Sequence, residues 1–358
     1  MLHRTLLASV AAAFSILLPV AGSAAQKHKN QEPKTQVLPL PPELPKALLA
    51  ETNTLDFHIS PLLRTGGLSA QIRQSLNDLI RDTRGETIVK LRAFVAGAGD
   101  ARRVQAATAD IFTEKKLPLP ALTVLQVGAL GQQAAQVVIE AVVSTHKTVN
   151  PSGLAFFSGQ HGASFEQALQ QLRDSVSTAR VAPDRVLTCT CFTSQIGDYE
   201  AARSIIRAAF PNTAINVVQA VRDPPNDASM CEAVGQLAEA PAAGPVVLLK
   251  SSRATLVNSQ QLIFTGLQLS FGSFLDDAHE AFVRLQRTAS ALQPVAAPVE
   301  VNAFSLDAYA SSALRKTTSF PPSSFTAQTV EGLPAIDASG GVEAILAPGV
   351  PSPQTLSR

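Results

Sequence analysis

One short pattern, an apolar residue, Glu-Ala and a second apolar residue, occurs three times: Ile139-Glu140-Ala141-Val142, Cys231-Glu232-Ala233-Val234 and Val342-Glu343-Ala344-Ile345. The glutamates stand 92 and 111 residues apart. The segments before each copy repeat in the same order, so the chain reads as three diverged copies of one small unit. A repeat of this kind constrains the fold more than any local propensity.

Each copy opens with a short apolar strand, at 55–60, 154–160 and 262–267. A helix follows, with apolar residues at helical spacing: Ile72, Leu76, Leu79 and Ile80; Phe165, Leu169, Leu172 and Val176; Phe274, Ala278, Ala281, Phe282 and Leu285. A second strand is predicted at 88–95, 186–193 and 299–304. Asp100, Asp198 and Asp307 then stand where an N-cap of a second helix belongs. Each copy closes with a Pro and two strands, the last of which carries the Glu. The predicted unit is β-α-β-α-β-β, an α+β fold with helices on one sheet face. The bare face must be buried elsewhere, and three sheets packed around a pseudo-threefold axis would bury it. The copies span 48–147, 150–240 and 246–347.

The ends read differently. A basic start at Met1 to Arg4, an apolar run from Leu6 to Val20 and small residues at Gly22-Ser23-Ala24-Ala25 predict a secretory signal peptide over 1–25. Residues 26–47 are polar and Pro-rich and predict an extended tether, and 348–358 predict a disordered tail. The expectation is a secreted, periplasmic protein that is free of the membrane after cleavage.

Composition removes some function classes. The net charge is +1, there is no Trp and there are two Tyr, so no nucleic-acid partner is expected. The six His show no metal-ligand spacing, and neither a metal nor a cofactor is implied. Ser158-Gly159-Gln160-His161-Gly162 lacks the strand-to-helix context of a nucleophile elbow. Cys189 and Cys191, two apart on one strand, are badly placed to pair with each other. Either could reach Cys231 from an adjacent strand, but small buried hydrophobes are the favoured reading.

In copy one, the segments 71–79, Ile88-Val89-Lys90 with Phe94-Val95, and 120–127 followed by Ile139-Glu140-Ala141-Val142 resemble the Rid family, the YjgF or L-PSP-type imine deaminases. Phe157-Ser158-Gly159-Gln160 resembles the family's opening-strand motif, and Thr265-Gly266 does so more weakly. The resemblance implies a chorismate-mutase-like unit. Three of them would form a covalent pseudo-trimer, a monomer in solution, with a ligand cleft at each junction. Ser158, Gly159, Gln160, Thr265, Gly266 and Leu122 would line such clefts. In the family, an Arg after the closing Pro binds the substrate carboxylate as a bidentate fork. That place holds Leu122 in copy one, Thr213-Ala214 in copy two and a residue between Ser323 and Phe325 in copy three. Arg222 and Arg315 are the nearby arginines that could serve instead, and nothing in the sequence places either in a cleft.

The resemblance gives Glu140, Glu232 and Glu343 the acid/base role on an attacking water. The bland alternative is that each ends its strand and pairs locally. Two functions follow. One is a small-metabolite binder with imine or enamine hydrolysis; the other is a non-catalytic binding or scaffold protein of the same fold. Chorismatase-like hydrolysis and ribonuclease activity stand behind both.

Overall fold

A computed structural model describes residues 41–220, 228–242, 244, 246–272, 275–292, 296–318 and 324–348. The signal, tether residues 26–40, the tail beyond Pro348, Phe274 and Arg222 lie outside the described residues.

The chain begins with β1 (Ala47–Glu51). The first copy comprises β2 (Leu55–Ile59), α1 (Leu68–Asp82), β3 (Thr87–Ala96), α2 (Arg102–Glu114), β4 (Ala121–Val127), β5 (Ala129–Leu130) and β6 (Val137–Ser144). The second has β7 (Leu154–Gly162), α3 (Phe165–Thr178), β8 (Val186–Thr193), α4 (Tyr199–Ala209), β9 (Ala214–Gln219) and β10 (Ser229–Gln236). The third region has β11 (Val246–Leu249), β12 (Ala254–Val257), β13 (Gln261–Thr265), β14 (Gln268–Phe271), α5 (Leu275–Ser290), β15 (Ala296–Ser305), α6 (Ala308–Thr317), β16 (Phe325–Thr329) and β17 (Ala338–Pro348). No described helix is long and apolar enough to cross a membrane.

The same strand order recurs in three sheets: β2-β6-β3-β4, β7-β10-β8-β9 and β13-β17-β15-β16. In each, the central and fourth strands are parallel, joined through a crossover helix, and the other pairs are antiparallel. The sheets also borrow strands across the repeat boundaries. β1 pairs with β13, from Ala47 opposite Thr265 to Glu51 opposite Gln261. β11 and β12 extend the second sheet through β7, and β5 pairs with β9. Residue 47 of the expected tether and residues 246–249 and 254–257 of the expected third copy therefore belong to sheets of other copies.

Alternation along the strands sorts the core. On β6, Val137, Ile139, Ala141 and Val143 point to α1 and α2 and pack with Ile72, Leu76, Val104 and Phe112. On the opposite face, Val138 joins Phe94, Phe192, Met230 and Phe304, while Val142 joins Leu154, Phe156, Val234 and Phe264. Both of these clusters take side chains from all three copies. They bury the sheet face that the helices leave bare.

The caps follow expectation in two copies. The Asp198 carboxylate accepts from Glu200 and Ala201 N–H groups at 3.0 and 3.2 Å, and Asp307 accepts from Ala310 N–H at 2.7 Å. In the first copy Ala101 takes the N-cap position, and Asp100 accepts from Arg102 N–H at 3.1 Å and pairs with its guanidinium. Cys191 and Cys231 face each other across β8 and β10 and form a disulfide, while Cys189 is free and buried. This corrects the reading of all three as plain buried hydrophobes: direct cross-strand register brings the two sulfurs together.

Candidate functional site

Strand register puts the repeated glutamates in equivalent places. Glu140 lies opposite Arg92, Glu232 opposite Thr190 and Glu343 opposite Asn302. The fourth strands add Thr123, Asn216 and Thr326 beside those partners. Two residues earlier on the central strands stand Lys90, Thr188 and Glu300. Each glutamate shares its strand face with residues of the inter-sheet clusters, such as Val138 and Val142 beside Glu140. The three glutamates thus meet in one buried polar layer between the sheets.

Two of them are fully engaged across copy boundaries. Glu140 accepts from Arg92 Nε at 2.6 Å, Thr190 Oγ1 at 2.8 Å and Asn216 Nδ2 at 2.9 Å. Glu343 accepts from Lys90 Nζ at 2.5 Å and from the Thr123 hydroxyl, and Arg92 Nη1 lies 3.5 Å from its other oxygen. The first glutamate is therefore held by the second copy, and the third by the first. By the same relation Asn302 and Thr326 would hold Glu232. Instead Thr326 donates to Asn302 Oδ1 at 2.5 Å, and Asn302 donates to Glu300 at 3.0 Å. Glu232 Oε1 has Arg92 Nη2 at 3.4 Å, and its buried Oε2 has no hydrogen-bond partner among the described residues.

The electrostatics follow this geometry. Burial pushes Glu232 up to about 8 against the pull of Arg92, with Glu300, Glu140 and Glu343 adding to the rise. Glu300 is pushed up to about 7, again chiefly by burial. Burial alone would raise Glu343 too, but Lys90 and Arg92 outweigh it and hold it below the usual range. Burial lowers Lys90, although Glu343 opposes this. For Arg92 the carboxylates overcome burial and keep the guanidinium charged. A cavity of about 80 Å³ opens on the layer, lined by Arg92, Glu140, Glu232, Glu300, Glu343 and Phe57 among others.

The expected cleft residues lie elsewhere. Leu122, on the opposite face of β4 from Thr123, packs on the helix-side core and lines a second cavity of about 170 Å³. Gly266, Gln268, Lys46, Arg102 and Gln105 share that cavity. Gly266 N–H donates to the Lys46 carbonyl at 2.5 Å, and a Cβ there would come within 3.0 Å of the Leu122 carbonyl. Thr265 Oγ1 accepts from Ala344 N–H at 2.8 Å, and its carbonyl accepts from Lys90. In the second copy, Ser158 donates from N and Oγ to the Arg253 carbonyl, and Gln160 donates to the Ser158 carbonyl at 2.6 Å. Met230 covers Gly159, where a Cβ would sit 2.2 Å from the Met sulfur. Arg315 donates to the Ala327 carbonyl at 3.3 Å. The structure thus joins Leu122 with Gly266, and the glutamates with one another, but none of the glutamates lines the Leu122 cavity.

Sequence reasoning missed Lys90, Arg92 and Glu300 as members of the site. The signal was present: charged residues at alternate positions within apolar strands must find buried partners.

No protein-family model matches the chain, and no curated protein matches it. Among solved structures, a YjgF family member from Neisseria meningitidis is 19% identical, covering 28% of this chain and 86% of its own at a TM-score of 0.22. A member of the YjgF/YER057c/UK114 family from Mycobacterium tuberculosis is 16% identical, covering 25% of this chain and 81% of its own, also at 0.22. A cyanuric acid hydrolase, described as an innovation by structural concatenation, covers 84% of this chain and 99% of its own at 13% identity and a TM-score of 0.23. The chain is similar to YjgF-type structures over about a quarter of its length, and to a concatenated protein over most of it.

Proposed function

We propose that the chain is a covalent pseudo-trimer of Rid-like units that binds a small carboxylate-bearing metabolite between its first and third copies, without hydrolysing it. The observation that carries the binding is the cavity at Leu122 and Gly266, with Lys46 and Arg102 as its cationic groups. Arg102 is engaged by Asp100, which leaves Lys46 to meet a carboxylate. Among the described residues no carboxylate lines this cavity, and the repeated glutamates lie between the sheets. A water in the cleft therefore has no acid/base partner of the kind the resemblance implies. The pseudo-trimer is supported by the recurring strand order, the equivalent polar positions and the strands exchanged between copies. Export to the periplasm remains part of the proposal, supported by the apolar run at 6–20 and by a disulfide, which oxidising compartments favour.

Calorimetric titration of the chain with 2-oxobutanoate, against neutral butanamide, tests the binding. Saturable binding of the acid alone is expected, weakened roughly tenfold by Lys46→Ala, as loss of one charged hydrogen bond implies, and abolished by Leu122→Trp, which fills the cavity. Failure of the acid to bind, or binding indifferent to Leu122→Trp, refutes the reading. A scaffold of the same fold is the second reading, favoured by Met230 packed over Gly159 at the corresponding position of the second copy.

A further inference from the structure

We infer that the central cavity is a binding site for a small primary ammonium ion, held between Glu232 and Glu300. The inference is independent of the Leu122 cavity, which lies on the other side of the sheet.

Three observations carry it. The first is the broken repetition of the polar layer. Glu140 and Glu343 each receive donors from a neighbouring copy, whereas Glu232 Oε2 is buried without one. Glu232 is only 5% exposed, so bulk solvent does not satisfy it. The second is charge. Glu300 occupies the place that Lys90 holds in the first copy, so four carboxylates surround Lys90 and Arg92. Two of the four negative charges are thus unmatched when all are ionised, and one more cation with N–H donors would offset one of them and meet the vacant acceptor. The third is the cavity itself. Its volume of about 80 Å³ admits a small ion, and Phe57 and Phe264 in its wall suit a cation carrying a short alkyl group. Among the described residues no cluster of His, Cys, Asp and Glu is placed to hold a metal ion, which favours a hydrogen-bonding cation.

The titration of the pair agrees with this assignment. Without the ion, Glu232 and Glu300 keep protons to about 8 and about 7. The groups facing them are Lys90 and Arg92 on β3, Glu140 on β6, Glu343 on β17 and His58 on β2, which lines the same cavity. An entering ammonium displaces one of these protons, so its binding strengthens as pH rises through this range.

The test is calorimetric titration of the full chain with methylammonium chloride, at pH about 6 and about 8.5, with tetramethylammonium as a control of equal charge lacking N–H. The expected result is saturable binding of methylammonium, roughly tenfold or more tighter at the higher pH, with protons released to the buffer. Glu300→Gln, checked for native circular dichroism, should weaken it by roughly tenfold, the loss of one charged partner. Absence of saturable binding to the unmodified chain, equal binding of tetramethylammonium, or undiminished binding to a folded Glu300→Gln variant would each overturn the assignment. The measurement on the unmodified chain decides the matter even if the variant does not fold.

Discussion

Lys90 Nζ lies 2.5 Å from Glu343 Oε2, linking residues 253 apart in sequence, and both side chains are buried. The pair ties the first copy to the third at the level where all three sheets meet. Its loss leaves an uncompensated charge, and breaking a buried pair costs about 3–5 kcal/mol. Lys90→Met should destabilise the fold by that amount in urea unfolding. Lys90→Met/Glu343→Leu, which removes both charges, should recover most of the loss.

The pH dependence of stability has a definite sign. An unfolded chain releases the Glu232 and Glu300 protons near 4.5, whereas the folded chain holds them to about 8 and about 7. The unfolded state therefore binds fewer protons across this window, and stability falls as pH rises from 4.5 to about 8. Glu343, held low by Lys90 and Arg92, acts oppositely: its contribution is lost as pH falls below 4.5. Melting temperatures across this range should show the neutral-side decline in the native chain and less of it in Glu300→Gln. An equal decline in both would contradict the assignment.

Thr190 and Asn216 carry the bond between the first two copies through Glu140. A hydrogen bond to a charged group contributes about 1.5–3 kcal/mol. Thr190→Val and Asn216→Leu should each cost about that in urea unfolding. In Glu140→Gln, whose side chain carries no charge, the same substitutions should cost less.

The Cys191–Cys231 disulfide closes a separation of 40 residues. Cross-links of this kind contribute about 2–4 kcal/mol. Cys231→Ala should lower the urea midpoint accordingly, and a reductant should lower it in the native chain but not in the variant.

The unit itself was legible because its periodicities are local. The helix at Ile72, Leu76 and Leu79 and the caps at Asp198 and Asp307 can be read within a few residues of sequence. The exchanged strands were not: Ala47–Glu51 carries no mark saying that its partner is Gln261–Thr265 rather than Leu55–Ile59. The direction of the glutamates was obscured for another reason. β6 is apolar on both faces, so alternation gives no contrast by which to assign Glu140 to one of them. The charged pair Lys90 and Arg92, two apart on β3, was the better guide, because neither could be buried without carboxylates to meet it.

The central claim is that the repeated glutamates join the copies and do not activate water in a cleft. The most direct test is hydrolysis of short-lived imines, generated in situ from several amino acids, by residues 26 to 358 and by the Glu140→Gln/Glu232→Gln/Glu343→Gln variant. The account predicts no turnover above the buffer background for the native chain and a large loss of stability in the variant. Turnover by the native chain, abolished in a variant that remains folded, would contradict it.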